Sequence, residues 1–198
     1  MQPLRCAVLG SLLFLLAAGA AAQDSIRVRA TIVSLEGDAL VVKTREGREL
    51  RVALTDKTTV AAAKAITLAD LKPGDYVGSA TRRRADGTLV ALEVHTLPRS
   101  VAEGHRPWDL EPGSMMTNAQ IAAVAESEGG HELTLVYRGG TQKILVPPGT
   151  PIVTTIPADR SFLKPGEYVF FTAQGEPGGG LTVPGRIQVS RDGVRPPQ

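Results

Sequence analysis

Between residues 26 and 96, apolar side chains recur at every second position in short runs. Ile26, Val28, Ala30 and Ile32 alternate with Arg27, Arg29 and Thr31, the period of a strand with one buried face. The same alternation returns in Leu40 and Val42, in Leu50, Val52 and Leu54 around Arg51, and in Val90, Leu92 and Val94 against Glu93 and His95. The separators Glu36-Gly37-Asp38, Glu46-Gly47 and Asp86-Gly87 tolerate positive φ, so the runs read as antiparallel strands joined by tight hairpins. Gly129-Gly130, Gly139-Gly140 and Gly178-Gly179-Gly180 take the corresponding places further along the chain.

That correspondence is an internal repeat. Leu71-Lys72-Pro73-Gly74-Asp75-Tyr76-Val77 returns as Leu163-Lys164-Pro165-Gly166-Glu167-Tyr168-Val169, a displacement of 92 residues from 71 to 163. The repeat also decides an ambiguous stretch. Val60 to Leu71 holds five alanines and a lysine, a helical composition by propensity alone. Its second copy, Ile152-Val153-Thr154-Thr155-Ile156-Pro157, is β-branched and broken by proline, which a helix does not tolerate. Only one helical turn is expected in each copy, capped by Thr67 and by Asp159 and stopped by the Pro-Gly pairs. The expected fold is all-β: two tandem small OB-like β-barrel domains at 26–97 and 115–191, joined by a Pro-rich linker at 98–114 and followed by a frayed tail at 192–198. Closure into barrels removes exposed strand edges.

The start of the chain changes the expected compartment. Arg5 precedes an apolar run from Val8 through Ala22 that ends in small residues, the pattern of a signal peptide at 1–22 cleaved near Ala22. The run is shorter than the roughly 20 residues a bilayer-spanning helix needs, and no later segment is long and apolar enough to be one. A periplasmic or secreted location follows as an expectation. Cys6 is the only cysteine, so the processed chain has no thiol for disulfides, catalysis or metal. Net charge is +2 with 4% aromatic residues, which supplies neither a basic footprint nor a stacking platform for nucleic acid.

The segments Ala30 to Val42, Ala69 to Val77 and Asp86 to Val94 resemble the tandem small β-barrel repeats of secreted bacterial proteins of unknown function. The resemblance covers repeat one closely and repeat two more loosely. It implies export and a barrel fold, and it carries no catalytic residues.

No nucleophile elbow, zinc-protease helix or phosphate-binding loop is present, and no cofactor is expected. A non-catalytic exported module that binds an envelope protein or other envelope component is the leading expectation. Its candidate partner-binding residues are Arg106 and Trp108 in the linker and the basic run Arg82, Arg83 and Arg84 at a hairpin end. Trp108, the only tryptophan, reads either as an anchor between the barrels or as a partner-facing hot spot. The alternative is a periplasmic metal-handling protein using His105 and Asp109, with His95 or His131 in support, although both of these read as solvated surface residues. An enzyme built on Asp109 and Glu111 ranks third, because adjacent carboxylates in a proline-bounded loop define no acid and base roles.

Overall fold

The computed structural model describes residues 25 to 197; the expected leader lies outside the described residues. The elements are strands β1 (Ser25–Glu36), β2 (Ala39–Thr44), β3 (Glu49–Leu54), β4 (Thr59–Ala65), β5 (Tyr76–Arg83), β6 (Leu89–Thr96) and β7 (Gly104–Pro107), then β8 (Met115–Ser127), β9 (Gly130–Tyr137), β10 (Gly140–Val146), β11 (Ile152–Ala158), β12 (Tyr168–Gly175), β13 (Leu181–Val183) and β14 (Arg186–Val189). Single 3₁₀ turns, Leu68–Asp70 and Arg160–Phe162, follow β4 and β11. The alanine stretch is therefore strand and not helix. The Asp70 carboxylate accepts from Thr67 N–H, and that of Asp159 accepts from Ser161 N–H, both at 2.8 Å. These bonds occupy amide donors that a turn leaves open at its start.

Strand pairing joins the elements into an all-β fold, but not along the expected boundaries. One closed ring runs β1-β2-β3-β13-β12 and returns to β1. A second runs β8-β9-β10-β6-β5 and returns to β8. Each ring takes its first three strands from one repeat and its closing strands from the other. The hydrophobic clusters divide the same way: Val28, Ile32, Leu40, Val42 and Val52 pack with Leu163, Val169, Phe171 and Ile187. Leu71, Val77, Leu89 and Val94 pack instead with Ile121, Leu133, Leu135 and Ile144. We call the first the terminal barrel, because it is built from both ends of the described chain, and the second the central barrel. The expectation that 26–97 and 115–191 each close on themselves is thus corrected. Neither span contains the strands that complete its own core.

The duplicated Pro-Gly motif explains the exchange. Ile121 exchanges backbone hydrogen bonds with Gly74 and Asp75, and Ile32 does the same with Gly166 and Glu167, at 2.8–2.9 Å. Each motif therefore clasps the first strand of the other repeat. Crossing between the barrels is made by β4 and β11, which pair antiparallel with Ala63 opposite Thr155. Those two residues are separated by the repeat displacement of 92 (63 to 155), so the pair marks an approximate two-fold axis between the barrels.

Three smaller departures have local causes. A bulge opposite Ala80 and Thr81 leaves Leu92 out of the β5–β6 register, so Ala91 rather than Leu92 joins the central core. The tail expected to fray is packed: Pro196 and Pro197 are buried, and the Arg195 guanidinium lies 4.6 Å from the Tyr168 ring. The linker is neither loose nor structureless. Its strand β7 pairs with β8, Tyr76 Oη donates to Val101 O at 2.9 Å, and Asn118 Nδ2 donates to Ala102 O at 3.1 Å.

Candidate binding groove between the barrels

The linker lays its one tryptophan against the seam between the barrels. Beyond β7 the chain turns back on itself: Trp108 N–H donates to Ser114 O at 2.8 Å, and the buried Ser114 hydroxyl reaches the carbonyls of Trp108 and Glu111 at 3.0 and 2.8 Å. The half-buried Trp108 ring is surrounded by guanidiniums, at 4.2 Å for Arg27, 5.8 Å for Arg29 and 6.0 Å for Arg106. Arg29 is 7% exposed and lies between Trp108 and Phe170, whose ring is 5.0 Å away. Such cation–π contacts gain strength as water is excluded. Arg27 and Arg29 come from the terminal barrel and β7 from the edge of the central one, so the linker straps the two together.

Asp109 completes this corner. Arg29 donates to one carboxylate oxygen at 2.8 Å and Arg27 to the other at 3.2 Å. Partial burial opposes ionisation, but the hydrogen bonds and charges of Arg29 and Arg27 outweigh it and hold the carboxyl below its usual range. His105 is engaged elsewhere, its Nδ1 lying 2.9 Å from Thr117 Oγ1. Burial, followed by the nearby Arg83 charge, lowers its pKa and favours the neutral ring. The expected metal pair is therefore not assembled: Asp109 has both oxygens on arginines, and among the described residues no group of three or more His, Cys, Asp or Glu side chains could hold a metal ion. His131 sits 3.3 Å from Glu126 at the surface.

His95 departs most from its expected place. Its parity does point it out of the central barrel, but that outer face is covered by the seam, and His95 is 6% exposed. Glu93 beside it is equally buried, with its Oε1 3.2 Å from His95 Nδ1. The approach is off the line that a hydrogen bond requires, leaving Nδ1 unsatisfied, as is Arg29 Nε. Gly78 makes the space for the imidazole. A Cβ at this position would lie 2.3 Å from His95 Nε2.

His95 and Trp108 border a cleft of about 420 Å³ with walls from both barrels, the linker and the tail. His95, Arg106, Trp108, Phe170, Arg186 and Gln188 carry most of its chemistry. Arg106 and Trp108, two of the expected partner-binding residues, are thus brought together. Arg82, Arg83 and Arg84 are not; they lie exposed at the far end of the β5–β6 hairpin, where Arg83 bonds Gly87 O at 2.8 Å.

No family model, curated protein or solved structure matches the chain. The two related halves therefore supply the most direct comparison. His95 pairs with Val153 in register, and Gln188 pairs with Ala61, so His95 and Gln188 occupy equivalent places, and Glu93 is likewise matched to Arg186. Gly78 lies opposite Asn118 where Phe170 lies opposite Arg29. Most core positions keep their type between copies, as in Ile32 and Ile121 or Val77 and Val169, the exception being the Val28–Phe171 pair, whose counterpart is Thr117 with Ser79. The seam positions change charge and size. Sequence reasoning placed His95 at the solvated surface and missed Glu93, Arg29 and Arg186, because alternation reports only which side of its own sheet a residue faces; the cross-copy mismatch of Glu93 with Arg186 was the available signal.

Proposed function

We propose that the chain is an exported, non-catalytic binding module of the bacterial envelope, with two OB-like barrels that each draw strands from both repeats, and that it holds its ligand in the groove between the barrels. One observation carries this reading: Arg106, Trp108, buried His95 and Arg186 converge on one groove, where the two halves differ in charge and size although most of their core positions match. A duplicated scaffold under packing constraints alone has no need of a buried imidazole and carboxyl side by side, His95 with Glu93, since burying polar groups without well-aligned hydrogen bonds costs free energy. The leader at 1–22 supports export, and the envelope supplies the ligand. Metal handling by His105 and Asp109 has less support, since each already has a protein partner.

Mature protein and an Arg106→Gln/Arg186→Gln variant, each immobilised and exposed to the same envelope extract, test this reading. A component retained by the first and lost by the second is the expected result. Identical retained profiles overturn it.

A further inference from the structure

We infer that the groove recognises a small oxyanion, a carboxylate or a phosphate monoester, carried on a flat apolar body. This inference rests on the groove being the binding surface, and it adds the chemistry that the groove selects.

Charge is the first argument. Four arginines lie in or beside the groove, and they divide into two pairs. Arg27 and Arg29 share the single carboxylate of Asp109. Arg106 and Arg186 line the cleft, and neither guanidinium has a hydrogen-bond or ion-pair partner among the described residues. Two uncompensated guanidinium forks in one concavity match the planar, multiply accepting geometry of a carboxylate or phosphate. The equivalent place to Arg186 in the other half holds Glu93, which is buried beside His95. The carboxyl group is thus withdrawn under the surface while the guanidiniums are left open, an asymmetry that attracts an anion to the Arg106 and Arg186 side.

Unsatisfied polarity is the second argument, independent of the first. His95 is more than nine-tenths buried and lines the same cleft, and its Nδ1, 3.2 Å from Glu93 Oε1, makes no well-aligned hydrogen bond. Shape is the third. A volume of about 420 Å³ falls within the roughly 300–1,000 Å³ of small-molecule sites, and Trp108, Phe170 and the buried Met116 give part of its wall an apolar surface suited to a flat body.

Trp108 is the only tryptophan of the chain, so its fluorescence reports directly on the groove. Purified mature protein is titrated with phenyl phosphate, benzoate, inorganic phosphate and phenol, with calorimetry as a second readout that does not depend on the indole. Saturable binding of phenyl phosphate or benzoate is expected, with phenol and inorganic phosphate each at least about tenfold weaker; the tighter of the two aromatic anions distinguishes phosphate from carboxylate. Arg106→Gln and Arg186→Gln should each raise the Kd about tenfold or more, the loss expected for one charge-assisted contact. Neither substitution removes a hydrogen bond or an ion pair within the described residues, calorimetry covers the loss of the 6.0 Å Arg106–Trp108 ring contact, and Arg84→Gln serves as the charge control that leaves binding unchanged. The inference is overturned if neither aromatic anion saturates below about 10 mM, an affinity weaker than about 3 kcal/mol, or if phenol binds as tightly as the anions, or if the two groove variants bind like the parent. An envelope component retained through Arg106 and Arg186 with no response to either anion would reject this inference and leave the broader reading standing; anion binding with no retained component would do the reverse.

Discussion

The two barrels share a plan and differ in what fills one end. In the terminal barrel Val28 pairs with Phe171, both fully buried. In the central barrel the equivalent pair is Thr117 with Ser79, also fully buried. The polar pair is tolerated because each hydroxyl has a partner. Ser79 donates to Glu93 O at 2.9 Å, and Thr117 meets His105 of the linker strand β7 at 2.9 Å. Among the described residues the terminal barrel has no strand corresponding to β7, and a phenylalanine does the filling instead. One copy of the scaffold has thus become an apolar foundation, while the other accepts polar groups that tie down the linker and shape the groove.

The sharpest way to break this comparison is to cut the linker. If the halves exchange strands, cleavage at a protease site placed across residues 99–103 leaves two fragments that co-elute on gel filtration and separate only in denaturant. Fragments that part under native conditions would restore the picture of two self-contained tandem domains.

Next in size is the contrast between the matched interior residues. Phe171→Ala should cost about 3–5 kcal/mol in urea unfolding, the range for large aromatic truncations in cores. Ser79→Ala should cost about 1 kcal/mol, the net loss of one hydrogen bond. Equal costs would mean that the two interiors are not differently built.

A smaller effect probes the seam. Gly78→Ala should destabilise by about 1–3 kcal/mol through overpacking against the His95 ring, and much of that cost should vanish in a His95→Ala background. Additive costs in the double variant would show that the ring does not need the space left by Gly78.

The smallest effect is one of pH. The Asp109 pKa is depressed in the folded state, so its contribution is fully present above the ordinary carboxylate range and is lost as pH falls through the lower folded value. Trp108 emission should report the linker loosening on acidification, and Asp109→Asn should show the loosened signal already at neutral pH. An identical pH profile in the variant would remove Asp109 from the strap.

The strands were legible in the sequence because hydrophobic alternation and glycine turns are local. Gly37, for example, adopts φ 59° at the predicted first hairpin. The repeat also prevented a false helix at Val60 to Leu71, since Pro157 in the matching strand could not be helical. Which strands close which barrel was not legible, because identical motifs fit either partner equally well and nothing in Leu71–Val77 says whether it will clasp Ile32 or Ile121. The groove suffered for the same reason. Trp108 and Arg106 stood out by type and position, but His95 and Glu93 look like exposed residues until the neighbouring barrel is placed over them.

The exchange of strands also sets an order of assembly. The central core draws on Leu71 through Ile152, one unbroken stretch, and can close as soon as that stretch is available. The terminal core joins Val28 to Val189, and its closing pairs reach from Ser25 to Gln174. Strands β1 to β3 are made first and completed last. During synthesis they form a meander with an open edge and an uncovered apolar face, a combination that invites pairing with other chains. A chain delivered from its N-terminus therefore carries its own aggregation hazard until its last strands arrive, and chaperone dependence should track the delay in supplying β12 to β14 rather than the stability of the finished protein.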